Sequence, residues 1–132
     1  MKYMLDTNIC IYIIKKKPEK VFTRFYKCQP GDICISSITL AELEYGVSKS
    51  TNKIKNKVAL SGFLAPICIL PFSENAAQVF GEIRVELEKQ GRIIGGYDML
   101  IAAHALSEGL TLVTNNTSEF SRVDKLHIDN WI

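Results

Sequence analysis

Tyr3-Met4-Leu5-Asp6-Thr7-Asn8-Ile9-Cys10-Ile11-Tyr12-Ile13-Ile14 is the stretch on which the reading of this chain turns. A short apolar run meets a polar corner and then a second, longer apolar run. That pattern predicts a buried strand, a sharp turn and a buried helix. Asp6 stands at the carboxyl end of the strand, where open α/β sheets bind their ligands. Asp6 and Thr7 are also good N-cap residues, so capping of the next helix is the competing explanation for them.

Working outward, the same grammar recurs. Pro18 suits the start of a second helix, with Val21, Phe22 and Phe25 as its apolar side. Ile33-Cys34-Ile35 reads as a strand, and Ile38 to Val47 as a helix with Leu40, Leu43 and Val47 on one side. Glu42 points away from that side and is placed on the first turn, where Thr39-x-x-Glu42 has the form of a capping box. Residues 52–65 form a further helix, with Ile54, Val58 and Leu64 expected inside. Ile67-Cys68-Ile69-Leu70 is the next strand, and Ser73 caps a helix whose inner line is Ala76, Ala77, Phe80, Ile83 and Leu87.

Residues 92–96 read as a mobile connector into Tyr97-Asp98-Met99-Leu100-Ile101-Ala102-Ala103-His104, a helix apolar nearly all round and therefore central. Asp98 sits on its first turn, where the helix dipole favours an anion. His104 falls on another side and is assigned to the core or an interface. Leu110 to Val113 is a strand, followed by Thr114-Asn115-Asn116-Thr117-Ser118-Glu119-Phe120, where Glu119 opens a short helix over a buried Phe120. Leu126-His127-Ile128 is the last short strand, with Trp131 packing near the end.

Alternating strands and helices call for a mostly parallel sheet. In such a sheet the strand ends that feed helices share one edge. Asp6, Glu42 and Glu119 therefore approach one cleft, and Asp98 joins them from its helix start. Clustered carboxylates repel by about 4 kcal/mol per pair at ~4 Å and an effective dielectric near 20. Hard oxygen donors of this kind suit Mg²⁺ or Mn²⁺. The four cysteines, at 10, 28, 34 and 68, lack the paired spacing of a zinc site and are expected to be reduced thiols.

The totals are consistent with one domain over residues 1–132. No apolar run approaches the ~18 residues of a membrane span, and Asp6 follows the start too closely for a signal peptide, so a cytoplasmic protein is expected. Net charge is only +2, yet Lys15, Lys16, Lys17, Lys20, Arg24 and Lys27 form one basic stretch, and Lys49, Lys53, Lys55 and Lys57 another. Such stretches suit a polyanion.

Taken in order, the pieces 4–8, 36–43, 95–105 and 112–120 resemble a PIN-domain ribonuclease, and within that family a VapC-type toxin of a toxin–antitoxin pair. The resemblance implies an α/β fold, a three-layer α/β/α sandwich around a mostly parallel sheet. It implies that Asp6, Glu42 and Asp98 are the acidic triad, with Asp6 and Asp98 the firmest ligands of Mg²⁺, and that the Thr114 hydroxyl, like Thr7, supports the site. It further implies an endoribonuclease acting on structured RNA, initiator tRNA in its closest-looking subgroup, a homodimer, and silencing by a VapB antitoxin. The departure is Asn116, where many relatives carry a fourth acid; Glu119 is the candidate to replace that charge. A non-catalytic RNA-binding or antitoxin-binding module is the alternative, and a phosphohydrolase ranks last because no Asp-x-Asp pattern is present.

Overall fold

The computed structural model describes residues 1–132. Five strands form one sheet: β1 (Tyr3–Leu5), β2 (Ile33–Ser36), β3 (Cys68–Leu70), β4 (Thr111–Val113) and β5 (Ile128–Asp129). Their order is β3-β2-β1-β4-β5, and every pairing is parallel. Successive crossovers run outward from β1 through β2 to β3, and the chain then returns to place β4 on the other side of β1. The gap between β1 and β4 is thus a topological switch point, the place where such sheets form a crevice.

Side-chain alternation along the strands creates the layers. Met4, Cys34 and Leu112 face one way, into a core with α5 (Glu74–Lys89) and α6 (Gly96–Ser107). Leu5, Ile33, Ile35 and Val113 face the other way, against α1 (Thr7–Lys15), α2 (Glu19–Tyr26), α3 (Ser37–Lys49) and α4 (Lys53–Leu64). The short α7 (Thr117–Phe120) follows β4, with Phe120 fully buried. The expected three-layer α/β/α sandwich is observed. The central role read for the helix at 97–106 holds as well, since Ile101 to Ala105 are all fully buried. Burying Ile101 alone contributes roughly 2–3 kcal/mol.

Several local expectations are overturned. In α4, Ile54 is 82% exposed and Val58 68% exposed, while Leu60 and Phe63 are buried and Leu64 partly so. The inner stripe lies on the line through Leu60 and Phe63, because those residues meet the sheet face and Phe25. Ala77 of α5 faces solvent. Cys68 is exposed, since β3 is an edge strand with its outer side uncovered. The cysteines are all unbridged. The connector at 92–96 is exposed except at Ile94, which is buried, and the Arg122 guanidinium donates to the Ile93 carbonyl at 3.2 Å.

Glu42 is not on a first turn. α3 starts at Ser37 and is capped by Ser36, whose Oγ accepts the Ile38 N–H at 3.0 Å. Thr39 therefore lies inside the helix with its buried hydroxyl unpartnered, and Thr39-x-x-Glu42 is no capping box. Glu42 is left free of any capping duty.

Candidate active site

The site is assembled at the carboxyl ends of β1, β2 and β4. Asp6 directly follows β1 and is 4% exposed. Its Oδ1 accepts the Ile9 N–H at 2.9 Å, so it does cap α1. Its Oδ2 accepts the Thr114 hydroxyl at 2.5 Å, across the gap from β4. One oxygen thus caps α1, and the other is held by Thr114 at the crevice between β1 and β4. Thr114 is fully buried, and its Oγ1 in turn accepts the Asn116 N–H at 2.9 Å.

Glu42, in the second turn of α3, accepts the Thr7 hydroxyl at 2.6 Å. Asp98, in the first turn of α6, faces Asn116, whose Nδ2 donates to its Oδ2 at 3.4 Å. The same amide nitrogen donates to Glu119 Oε2 at 2.9 Å. Asn116 is therefore a bridge between two carboxylates. Its neutral side chain is a departure in charge, but an amide is what lets Asp98 and Glu119 share a donor.

Electrostatics show that these groups form one cluster. The Asp98 pKa is raised to about 6, first by burial and then by the charges of Asp6, Glu119 and Glu42, with the Asn116 hydrogen bond opposing. The Asp6 carboxyl is also pushed up, mainly by burial, against the lowering effect of the bonds from Thr114 and Ile9. No lysine or arginine offsets the cluster: the three ion pairs of the chain are Arg24–Asp129, Lys57–Glu44 and Arg84–Glu88.

As the side chains stand, no three of the acidic, histidine or cysteine groups close around a common point. Each carboxylate is instead parked on a neutral donor: Asp6 on Thr114, Glu42 on Thr7, Glu119 and Asp98 on Asn116. Like charges gathered in this way repel, and a bound positive charge would offset that repulsion. The donors are all oxygen and none is thiolate or imidazole, a set that fits a hard divalent cation.

Beside Glu42 a groove opens between α1, α3 and α4, lined by Ile11, Ile14, Leu43, Val47 and Leu60, with Lys15 at its edge. Sequence reasoning did not find it, because its walls come from three separate helices.

The sequence matches the PIN domain family over residues 3–126. The chain belongs to the PIN-domain family. Within this family it is similar to ribonuclease VapC2 of Haemophilus influenzae, 49% identical over 132 residues, covering 100% of this chain and 99% of the relative. It is also similar to the tRNA(fMet)-specific endonuclease VapC of Shigella flexneri, 50% identical over 131 residues, 99% of this chain and 98% of the relative. Among solved PIN-domain structures it resembles VapBC2 from Rickettsia felis bound to a promoter DNA fragment, with a TM-score of 0.93, 48% identity and full coverage of both chains. DNA-bound VapBC from Salmonella typhimurium gives a TM-score of 0.94 at 45% identity, covering 100% and 99%. No helix of this PIN domain is long and apolar enough to cross a membrane.

Proposed function

We propose that this protein, as one PIN domain over residues 1–132, is a metal-dependent endoribonuclease toxin that cleaves structured RNA, with initiator tRNA the leading substrate. The ribonuclease and tRNA(fMet)-specific endonuclease names of its relatives support this reading. The observation that carries it is the gathering of four acids without an ion-pair partner, in which burial first, and then Asp6, Glu119 and Glu42, push the Asp98 carboxyl up to about 6. A nuclease has use for such a cluster, whereas a purely structural role would leave an uncompensated repulsion.

Asp6 and Asp98 would hold Mg²⁺ or Mn²⁺. A divalent ion supplies Lewis-acid polarisation of the scissile phosphate and offsets the charge of the cluster. The chain's own residues do the rest. Thr114 orients Asp6, and Asn116 orients Asp98 and Glu119. Glu42 and Glu119, the carboxylates not assigned to the ion, are the groups that would take a proton from the attacking water and deliver one to the ribose oxygen that leaves phosphorus. The exposed lysines at 15, 16, 17 and 20 hold RNA phosphates that the acidic cleft by itself would repel.

The VapBC structures support a VapB antitoxin as partner; with it we propose that the antitoxin silences the toxin and that the toxin acts in the cytoplasm as a homodimer. The apolar groove beside Glu42 suits a segment of such an antitoxin.

The test is cleavage of purified tRNA in Mg²⁺, with and without EDTA, beside Asp98→Asn. Cutting that stops in EDTA and in the folded variant supports the proposal; undiminished cutting in EDTA refutes the metal dependence. A second reading, a non-catalytic RNA-binding or antitoxin-binding module, is favoured by the neutral Asn116. It requires RNA binding that survives loss of Asp6 and Asp98, with no cut product from the wild type.

A further inference from the structure

His104 lies deep in α6, fully buried. Its Nδ1 is 2.8 Å from Ser36 Oγ, the cap of α3. The next residue, Ser37, accepts the Phe72 N–H on its hydroxyl at 3.0 Å, and the Phe72 ring meets the imidazole edge-on with centroids 5.5 Å apart. The end of β2, the start of α3, the segment after β3 and α6 are thus knotted together at one histidine.

The tautomer follows from counting partners. Ser36 Oγ already accepts the Ile38 N–H. If the Ser36 hydroxyl donates to Nδ1, only the Nε2–H is left without a protein partner. If Nδ1–H donates instead, both Nε2 and the Ser36 proton are left over. The first arrangement wastes fewer hydrogen bonds, so Nδ1 is the acceptor of a neutral ring. Burial acts in the same sense, pushing the His104 pKa below its ordinary value against the opposing charge of Glu108.

Even so, Nε2 remains buried and unpartnered. An unmet buried polar group costs roughly 1–3 kcal/mol, and a leucine would remove it only by leaving the buried Ser36 hydroxyl proton without an acceptor. What the histidine supplies is the bond to Ser36 itself, which packing alone does not provide. Glu42 stands six residues after Ser36, and Asp98 six before His104. Each is about 9 Å along its helix from the shared hydrogen bond.

We propose that His104 is a positioning residue: its bond to Ser36 locks α6 against the start of α3 and so sets the separation of Asp98 and Glu42 in the acidic cluster. This deepens the nuclease reading and rests on it. The bond works at a distance, through two helices, and touches neither substrate nor ion.

The experiment compares wild type with His104→Leu, His104→Asn and Ser36→Ala, by Mn²⁺ titration calorimetry and by tRNA cleavage kinetics. His104→Leu is expected to melt near the wild-type temperature, since it exchanges an unmet Nε2 for an unmet Ser36 hydroxyl. Its kcat falls about tenfold with KM for RNA unchanged, since misplacement by ~1 Å costs up to about 10² in rate. Its Mn²⁺ affinity weakens alongside. His104→Asn, which keeps an acceptor where Nδ1 stood, recovers most of both. Ser36→Ala reproduces the loss and stands in if His104→Leu does not fold. Unchanged kcat and Mn²⁺ affinity in His104→Leu or Ser36→Ala would overturn the proposal. Equal defects in His104→Leu and His104→Asn would do the same. A wild type that fails to cut RNA counts against the nuclease reading alone, because the Mn²⁺ titrations still decide the coupling.

Discussion

Replacing Asp98 with Asn should stabilise the metal-free protein near neutral pH, although it removes a proposed ligand of the site. Asp98 has its pKa raised from 3.8 to about 6 by burial and by Asp6, Glu119 and Glu42. A carboxyl that binds its proton more tightly when folded contributes a penalty that is absent below the unfolded value of 3.8, builds between 3.8 and about 6, and is complete above. At 1.36 kcal/mol per unit the ceiling is about 3 kcal/mol. Asp98 is only half-buried, so solvent screening brings this to about 1.5 kcal/mol. For a chain of this size that is about 5 °C in Tm. The assay is thermal melting in EDTA at pH 7.5 and at pH 4, wild type beside Asp98→Asn. The variant should melt higher at pH 7.5 and show no advantage at pH 4. Added Mg²⁺ should reverse the order at pH 7.5 by stabilising the wild type preferentially. A variant that is less stable than wild type at pH 7.5 in EDTA would refute the electrostatic reasoning.

Thr114→Val removes the hydroxyl bonded to Asp6 and the acceptor of the Asn116 N–H. Stability should fall by about 1.5–3 kcal/mol in urea titrations, and Mn²⁺ affinity at pH 7 should fall with it, because Asp6 loses its chief pKa-lowering partner. Asn116→Asp replaces the shared amide donor with another negative charge. Metal-free protein should melt lower than wild type at pH 7.5, while Mn²⁺ binds more tightly in calorimetry; a change of both in the same direction would contradict this. Lys15, Lys16, Lys17 and Lys20 changed together to Gln should raise the KM for RNA and flatten its salt dependence by roughly one unit of slope per lost phosphate contact. An unchanged salt slope would remove this face from the RNA path.

Much of the architecture was legible because strand and helix signals alternate cleanly. The apolar runs at 3–5, 33–35 and 111–113 became strands; the corners after the first and third supply Asp6, Thr114 and Asn116 to the site, and the helix after the second supplies Glu42. The order of the strands was not legible, since no residue in β4 announces that it will pair with β1 and not with β3. α4 misled because Ile54 and Val58 keep a helical spacing of their own, as good as that of Leu60 and Phe63. Only the sheet face decides which line is covered. In the site, Asp6 and Asp98 could be placed from their positions at a strand end and a helix start. Glu42 could be placed only to the correct helix, because the Ser36 cap lay one turn earlier than the capping pattern suggested. The amide bridge at Asn116 and the bond from His104 to Ser36 join residues far apart in the chain, and no local pattern encodes them.

The proposed activity requires these carboxylates to hold a divalent ion jointly. Anomalous diffraction from crystals soaked in Mn²⁺ measures this directly. A peak bounded by the carboxyl groups of Asp6 and Asp98, lost in Asp98→Asn crystals, is the result expected. Ordered density for all four acids with no peak among them at saturating Mn²⁺ would contradict it.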